Sequence, residues 1–258
     1  MREYTFVGAS LPKLVMGIPP EITFTAFARL LRVNLAPEDL KLSRVMRRYW
    51  DYQNVRLLWK DDELQRWGNY NENELEEAVV DRQGFPDYFY RFTEKYDAKD
   101  DRLANFSELI ASYFREENPN DGSFLQQYLD FERGWRLVFA GFRAKEFGKD
   151  LTKELQFEDR DDDLVAQIMA QKDAGTYEPP ARFEELKGIF NEHGDAPLEL
   201  EQALCQWRSK KYEQMGGQNP FALERILAYQ ARLVVAEKWM QLDREKGMKT
   251  VEIIEGRV

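Results

Sequence analysis

The residue types best suited to catalysis are scarce in this chain. His193 is the one histidine and Cys205 the one cysteine in 258 residues. Glu192 and Asp195 flank His193 closely enough to serve as the carboxylate partner that acid–base catalysis needs. Its position beside Gly194 and ahead of Pro197 predicts instead a polar residue closing a helix C-terminus, where a cation suits the dipole. Cys205 lies between Leu204 and Trp207, which predicts a small core residue rather than a thiolate among basic neighbours. One cysteine and one histidine exclude an internal disulfide, a Cys-rich metal site and a multi-histidine site. They also exclude the paired Glu-x-x-His repeats of a dimetal bundle. A site of carboxylates alone stays open as the basis of a helical enzyme, but charged helix faces produce the same counts.

Two further fragments resemble ligand-binding loops and lack their essential parts. The acidic run from Asp159 to Asp163 has Leu164 and Ala170 where a calcium loop requires Gly and Glu. It predicts an acidic helix start with Asp163 capping Leu164 onward. Gly148-Lys149-Asp150-Leu151-Thr152 lacks the upstream glycine and the preceding strand of a phosphate loop, and predicts a helix C-terminus with Gly148 near the cap. The expectation is no catalytic residue, no metal, no cofactor and no small-molecule substrate.

Charge gives a different lead. The chain has 37 Lys plus Arg against 47 Asp plus Glu, a net charge of -10. Non-specific nucleic-acid binding needs a basic footprint and is not expected. Arginines nevertheless cluster: Arg44, Arg47 and Arg48 within one helical turn, and Arg133, Arg136 and Arg143 along another helix. These six are the candidate partner-binding residues, suited to an acidic protein or a lipid headgroup layer. The plainer reading is pairing within a helix, as for Glu132 with Arg136 at i, i+4.

The elements that must position these residues are helices. Leu42, Val45, Tyr49, Tyr52 and Trp59 follow helical spacing, and Pro37, Glu38 and Asp39 suit a first turn, predicting a helix from Pro37 to Asp61. Shorter helices are predicted near Thr25–Arg32, after a cap at Asn71 or Asn73, from Phe89, and along Leu103, Phe106, Ile110 and Tyr113. Phe124, Tyr128, Phe131, Trp135, Val138 and Phe142 form a strong 4-3-4-3-4 stripe, and Ala222, Ile226, Tyr229, Leu233, Ala236 and Met240 another. Phe183–Phe190 and a segment opening at Pro197 complete the set. Only Glu3–Gly8 and Val251–Ile254 suggest short extended segments. The fold class is all-α. Asn118-Pro119-Asn120-Asp121-Gly122 is the clearest breaker and divides the chain into N-terminal (1–118) and C-terminal (119–258) helical parts.

No stretch supplies about 20 apolar residues for a membrane span, and Pro12, Lys13, Pro19 and Pro20 interrupt the best candidate. The start also lacks the pattern of a signal peptide. With one cysteine, the expected compartment is the reducing cytosol, where the sequon at Asn105 is a chance match.

Tyr49-Trp50-Asp51-Tyr52-Gln53-Asn54-Val55-Arg56-Leu57-Leu58 aligns without gaps to Tyr128-Leu129-Asp130-Phe131-Glu132-Arg133-Gly134-Trp135-Arg136-Leu137. The plain reading of the echo is coincidence between two amphipathic helices; if the two helices instead hold quasi-equivalent lobes, Asp51 and Asp130 should have similar environments. The first copy resembles a signature of the C-type subunit family of V-type ATPases (the d-type subunit of eukaryotes), in which Asp-x-x-Asn precedes Ile or Val, a basic residue and a leucine pair. The run Arg143-Ala144-Lys145 and the last helix, Ala228 to Glu237, are similar to later parts of that family. Arg133 stands where the second copy would carry Asn, and members of that family are usually longer.

A fuller match, over nearly the whole chain, is to an uncharacterised bacterial family encoded among V-type ATPase genes in lineages such as Bacteroidetes and Chlamydiae. It is carried by Tyr4-Thr5-Phe6-Val7-Gly8-Ala9-Ser10-Leu11-Pro12, Tyr128-Leu129-Asp130-Phe131-Glu132 and Asn219-Pro220-Phe221. The resemblance implies helical lobes arranged as a funnel and a non-catalytic central-stalk role, linking the membrane rotor ring to the rotating shaft. The ring and the shaft are the implied partners, and the implied location is cytoplasmic, peripheral on the inner face of the membrane. Asp51, Asn54, Asp130 and Glu237 are the implied motif residues. The alternative is a helical scaffold or assembly factor.

Overall fold

The computed structural model describes residues 2–242. Among these, thirteen α-helices and one short 3-10 helix account for the regular structure, and the extended contacts reduce to a single isolated bridge. The all-α expectation holds. The chain divides into two compact units, Met1–Leu40 with Glu185–Val258, and Lys41–Glu184. Asn118–Gly122 lies inside the second unit; Asn120 and Gly122 there take positive φ, as a breaker requires.

The first unit contains α1 (Thr5–Ser10), α2 (Phe24–Asn34), the start of α3 (Pro37–Leu58), and then α11 (Glu184–His193, from its second residue), α12 (Pro197–Met215) and α13 (Leu223–Gln241). α12 and α13 pack along one another, and α2 lies against α13. Phe24, Phe27 and Leu31 supply the buried stripe of α2, and Phe27 meets the Tyr229 ring at 5.4 Å. Thr23 caps α2 by accepting the N–H of Ala26. Glu3–Gly8 is not an extended segment. Glu3 forms the isolated bridge with Ala222, Tyr4 donates its N–H to the carbonyl of Phe221 at 2.8 Å, and the chain then turns into α1. One bridge offers no ladder to continue, so the backbone satisfies itself helically. Val251–Ile254 lies outside the described residues.

The second unit comprises the rest of α3, then α4 (Glu72–Val80), α5 (Asp87–Lys95), α6 (Lys99–Ala104), α7 (Phe106–Glu116), α8 (Phe124–Glu146), α9 (Leu151–Glu154) and α10 (Asp163–Met169). Its core is aromatic. Tyr52, fully buried on α3, stacks on Phe89 at 5.8 Å and Phe85 at 5.6 Å and meets Tyr113 edge-on at 5.9 Å. Such pairs add to the large apolar area that each ring buries.

Three local expectations change. α3 stops at Leu58 rather than Asp61, because Asp61 takes φ 58° and the N–H of Asp62 returns to the carbonyl of Leu57. The stripe from Leu103 to Tyr113 is split at Asn105 into α6 and α7. Asp162, not Asp163, caps α10, accepting the N–H groups of Leu164 and Val165. An N-cap carboxylate reaches donors two and three residues ahead, which Asp163 is one position too late to do.

Candidate functional site

α3 carries Arg47, Asp51 and Asn54 at spacings of four and three, hence on one face. All three bond the backbone of the loop that follows the helix. Asn54 acts as a peptide surrogate for Gln65, donating to its carbonyl at 2.7 Å and accepting its N–H at 2.8 Å. Asp51 accepts the backbone N–H of Asn69, the N–H of Tyr70 at 3.3 Å and the side-chain amide of Asn69 at 2.6 Å. Arg47 donates to the carbonyls of Trp67 and Gly68. Trp67, 2% exposed, packs edge-on against Trp50 with centroids 4.5 Å apart. A Cβ on Gly68 would come within 2.5 Å of Asp51 Oδ1, so the loop can approach this closely only at glycine.

Asp51 is 0% exposed. Burial pushes its carboxyl up to about 6, opposed by the hydrogen bonds from Asn69 and by the nearby Arg47 charge. Burial lowers the Arg47 guanidinium pKa.

The second copy of the echoed pattern is built differently. Asp130 is exposed and accepts the Asn118 amide at 2.7 Å. The buried acid of that helix is Glu132, 3% exposed, which pairs with Arg136 and accepts the Trp135 indole N–H at 3.1 Å. Arg136 also lies 4.4 Å from the Tyr49 ring centroid and 4.5 Å from that of Trp135. Arg133 bridges Glu158 at 2.7 Å and Asp162 at 3.0 Å, fastening the acidic run to α8. One Asp is buried and the other exposed, so the expected equivalence of Asp51 and Asp130 does not hold. The two sequences align, but their helices turn different faces inward.

Arg48 pairs with Glu117, which accepts the Tyr88 hydroxyl at 2.9 Å; Tyr88 in turn accepts the Tyr52 hydroxyl at 2.7 Å. Of the six candidate partner-binding arginines, Arg47, Arg48, Arg133 and Arg136 thus make bonds within the second unit. Arg44 and Arg143 are exposed. In the first unit, Glu237 accepts the backbone N–H of Phe24 at 2.6 Å. Asn219 donates to Glu3 at 2.9 Å, and the carbonyl of Pro220 lies against Gly8, so two of the bacterial-family landmarks meet in space.

His193 ends α11 with Nε2 3.8 Å from Glu192. Cys205 is fully buried, and burial raises its thiol pKa. Among the described residues, no group of three His, Cys, Asp or Glu side chains is placed to hold a metal, and no helix is long and apolar enough to cross a membrane.

Asn69, Glu117, Tyr88 and Glu158 escaped sequence reasoning, because each acts through a partner distant in the chain. The polar spacing of 47, 51 and 54 was the available signal. Arg47, Asp51 and Asn54 are arranged to hold loop backbone, whereas Glu117, Tyr88 and Glu158 bond other side chains.

A family model described as "Protein of unknown function (DUF2764)" matches residues 1–257. A protein of Chlamydia muridarum, named only as uncharacterized, is 29% identical over 99% of this chain and 98% of its own length. Similar proteins of Chlamydia pneumoniae and Chlamydia trachomatis are 28% and 26% identical over the same shares. No solved structure matches. The resemblance to an uncharacterised bacterial family with chlamydial members agrees with these findings.

Proposed function

The chain belongs to the DUF2764 family of proteins of unknown function, and from that premise we propose that it is a non-catalytic component of a V-type ATPase or ATP synthase, akin to the C-type subunit of the central stalk. In this reading it is cytoplasmic, peripheral on the inner face of the membrane, and joins the membrane rotor ring to the central shaft. The observation that carries the reading is the use made of the signature residues. The oxygens of Asp51 and the amide of Asn54 bond the loop Gln65–Tyr70 of the same chain. A motif employed this way ties a helix to its loop, as a part that transmits torque requires. The resemblance of the same residues to the C-type signature supplies the identity of the machine.

The test is capture of the tagged full-length chain from native membranes in mild detergent. Proteins of the rotor ring and the shaft should co-purify in fixed proportion. Recovery of the chain without any part of the ATPase overturns the reading and leaves the helical scaffold or assembly factor. Arg44→Glu and Arg143→Glu, both on exposed residues, should weaken capture without lowering the melting temperature.

A further inference from the structure

Asp51 differs from two other acids beside arginine, the half-buried Glu117 and the buried Glu132. Glu117 bonds Arg48 directly, and Glu132 bonds Arg136. Asp51 bonds only neutral donors, two backbone N–H groups and the Asn69 amide, although it is completely buried. Arg47, the nearby cation on the same helix, directs its guanidinium to the carbonyls of Trp67 and Gly68. Asp51 in turn acts electrostatically on Tyr52 of α3 and Tyr70 of the loop, both phenols whose ionisation burial opposes. A carboxylate held by neutral amides gives up its charge far more readily than one held by a guanidinium.

The amide of Asn69 is poised for that change. Its Nδ2 donates to Asp51 Oδ2 at 2.6 Å and to the carbonyl of Arg44 at 3.0 Å. Its Oδ1 is buried and has no hydrogen-bond partner. An unpaired buried acceptor is costly, and it is the group that an acid proton would satisfy.

We propose that Asp51 and Asn69 form a proton-driven switch within the second unit. A proton added at Asp51 Oδ2 removes an acceptor and creates a donor. The Asn69 amide rotates, withdraws Nδ2 from Asp51 and from Arg44 into the buried place that Oδ1 held, and offers Oδ1 to the new O–H, so an unpaired acceptor is exchanged for an unpaired amide donor. The Arg44 carbonyl, inside α3, keeps its place in the helical ladder. The backbone N–H groups of Asn69 and Tyr70 stay on Oδ1, so the loop remains seated while its side-chain tether to the exposed Arg44 turn is exchanged. This goes beyond the ATPase assignment and does not depend on it.

The test is nuclear magnetic resonance of the full chain, with 13Cγ-labelled aspartate and 15N-labelled asparagine, from about pH 4.5 to about pH 7.5. The Asp51 carboxyl, the Asn69 side-chain amide and the Tyr70 backbone amide should shift together with one midpoint near 6. Asp51→Asn presents an NH2 where the protonated acid has its O–H, so its Asn69 signal should sit at the wild-type acid limit throughout. A flat Asp51 carboxyl, or one that titrates while the Asn69 amide stays fixed, overturns the switch. Should Asp51→Asn fail to fold, the wild-type titration alone decides.

Discussion

The carboxylate of Glu237, near the end of α13, accepts a hydrogen bond from the backbone N–H of Phe24 at 2.6 Å. Phe24 is the first residue of α2, and its N–H is one of the four that a helix cannot bond itself. The carboxylate also meets the positive end of the helix dipole. One side chain therefore ties two helices far apart in the chain.

Removing that tie should be measurable. Glu237→Ala is expected to lower stability by about 1–2 kcal/mol, and Glu237→Gln, which keeps an acceptor without the charge, by roughly half as much. Urea denaturation reads both values. No loss in either variant would mean that the bond contributes nothing to α2.

Asn54→Ala strips Gln65 of both backbone partners in a part-buried loop. The expected loss is about 2–4 kcal/mol, since each unsatisfied buried group costs about 1–3 kcal/mol. Asn54→Asp keeps the acceptor, loses the donor and brings a second carboxylate near Asp51, so its loss should be no smaller. Chemical denaturation of both variants checks the order.

Asp51 gives stability a specific pH dependence. Its carboxyl titrates at about 6 in the fold against 3.8 as a reference. Between those values the folded chain holds a proton that the unfolded chain has released. Stability from this group is therefore greatest below about pH 4, falls as pH rises towards about 6, and is level above. The fall amounts to about 3 kcal/mol. The slope of unfolding free energy against pH should be more negative in wild type than in Asp51→Asn across that window. Equal slopes would show that Asp51 titrates alike in both states.

Two glycine substitutions should move stability in opposite directions. A Cβ at Gly68 would sit 2.5 Å from Asp51 Oδ1 and 3.1 Å from Asn54 Nδ2, so Gly68→Ala must displace the loop. The expected cost is about 2 kcal/mol or more. Gly188 is exposed within α11, with nothing within 4 Å of a Cβ. Gly188→Ala should raise stability by about 0.5–1 kcal/mol through helix propensity. Thermal melts of the pair provide the check.

The sequence by itself determined the helices, because 3.6-residue periodicity, caps and breakers are local. The stripe from Phe124 to Phe142, the cap at Asn71, Pro197 at the head of its helix and the buried Cys205 were all legible in it. So was the resemblance to an uncharacterised bacterial family. Which face of a helix turns inward depends on distant partners, and only the tertiary structure decided that. Asp51 and Asp130 share a sequence pattern, yet one meets the loop Gln65–Tyr70 and the other meets Asn118 in the open. The arginines show the same division. Their clustering was visible along the chain, but a guanidinium binds whatever acceptor the fold brings to it. Glu132 was legible at i, i+4 from Arg136, whereas folding supplied Glu117, Glu158 and two loop carbonyls to Arg48, Arg133 and Arg47, and left Arg44 and Arg143 exposed.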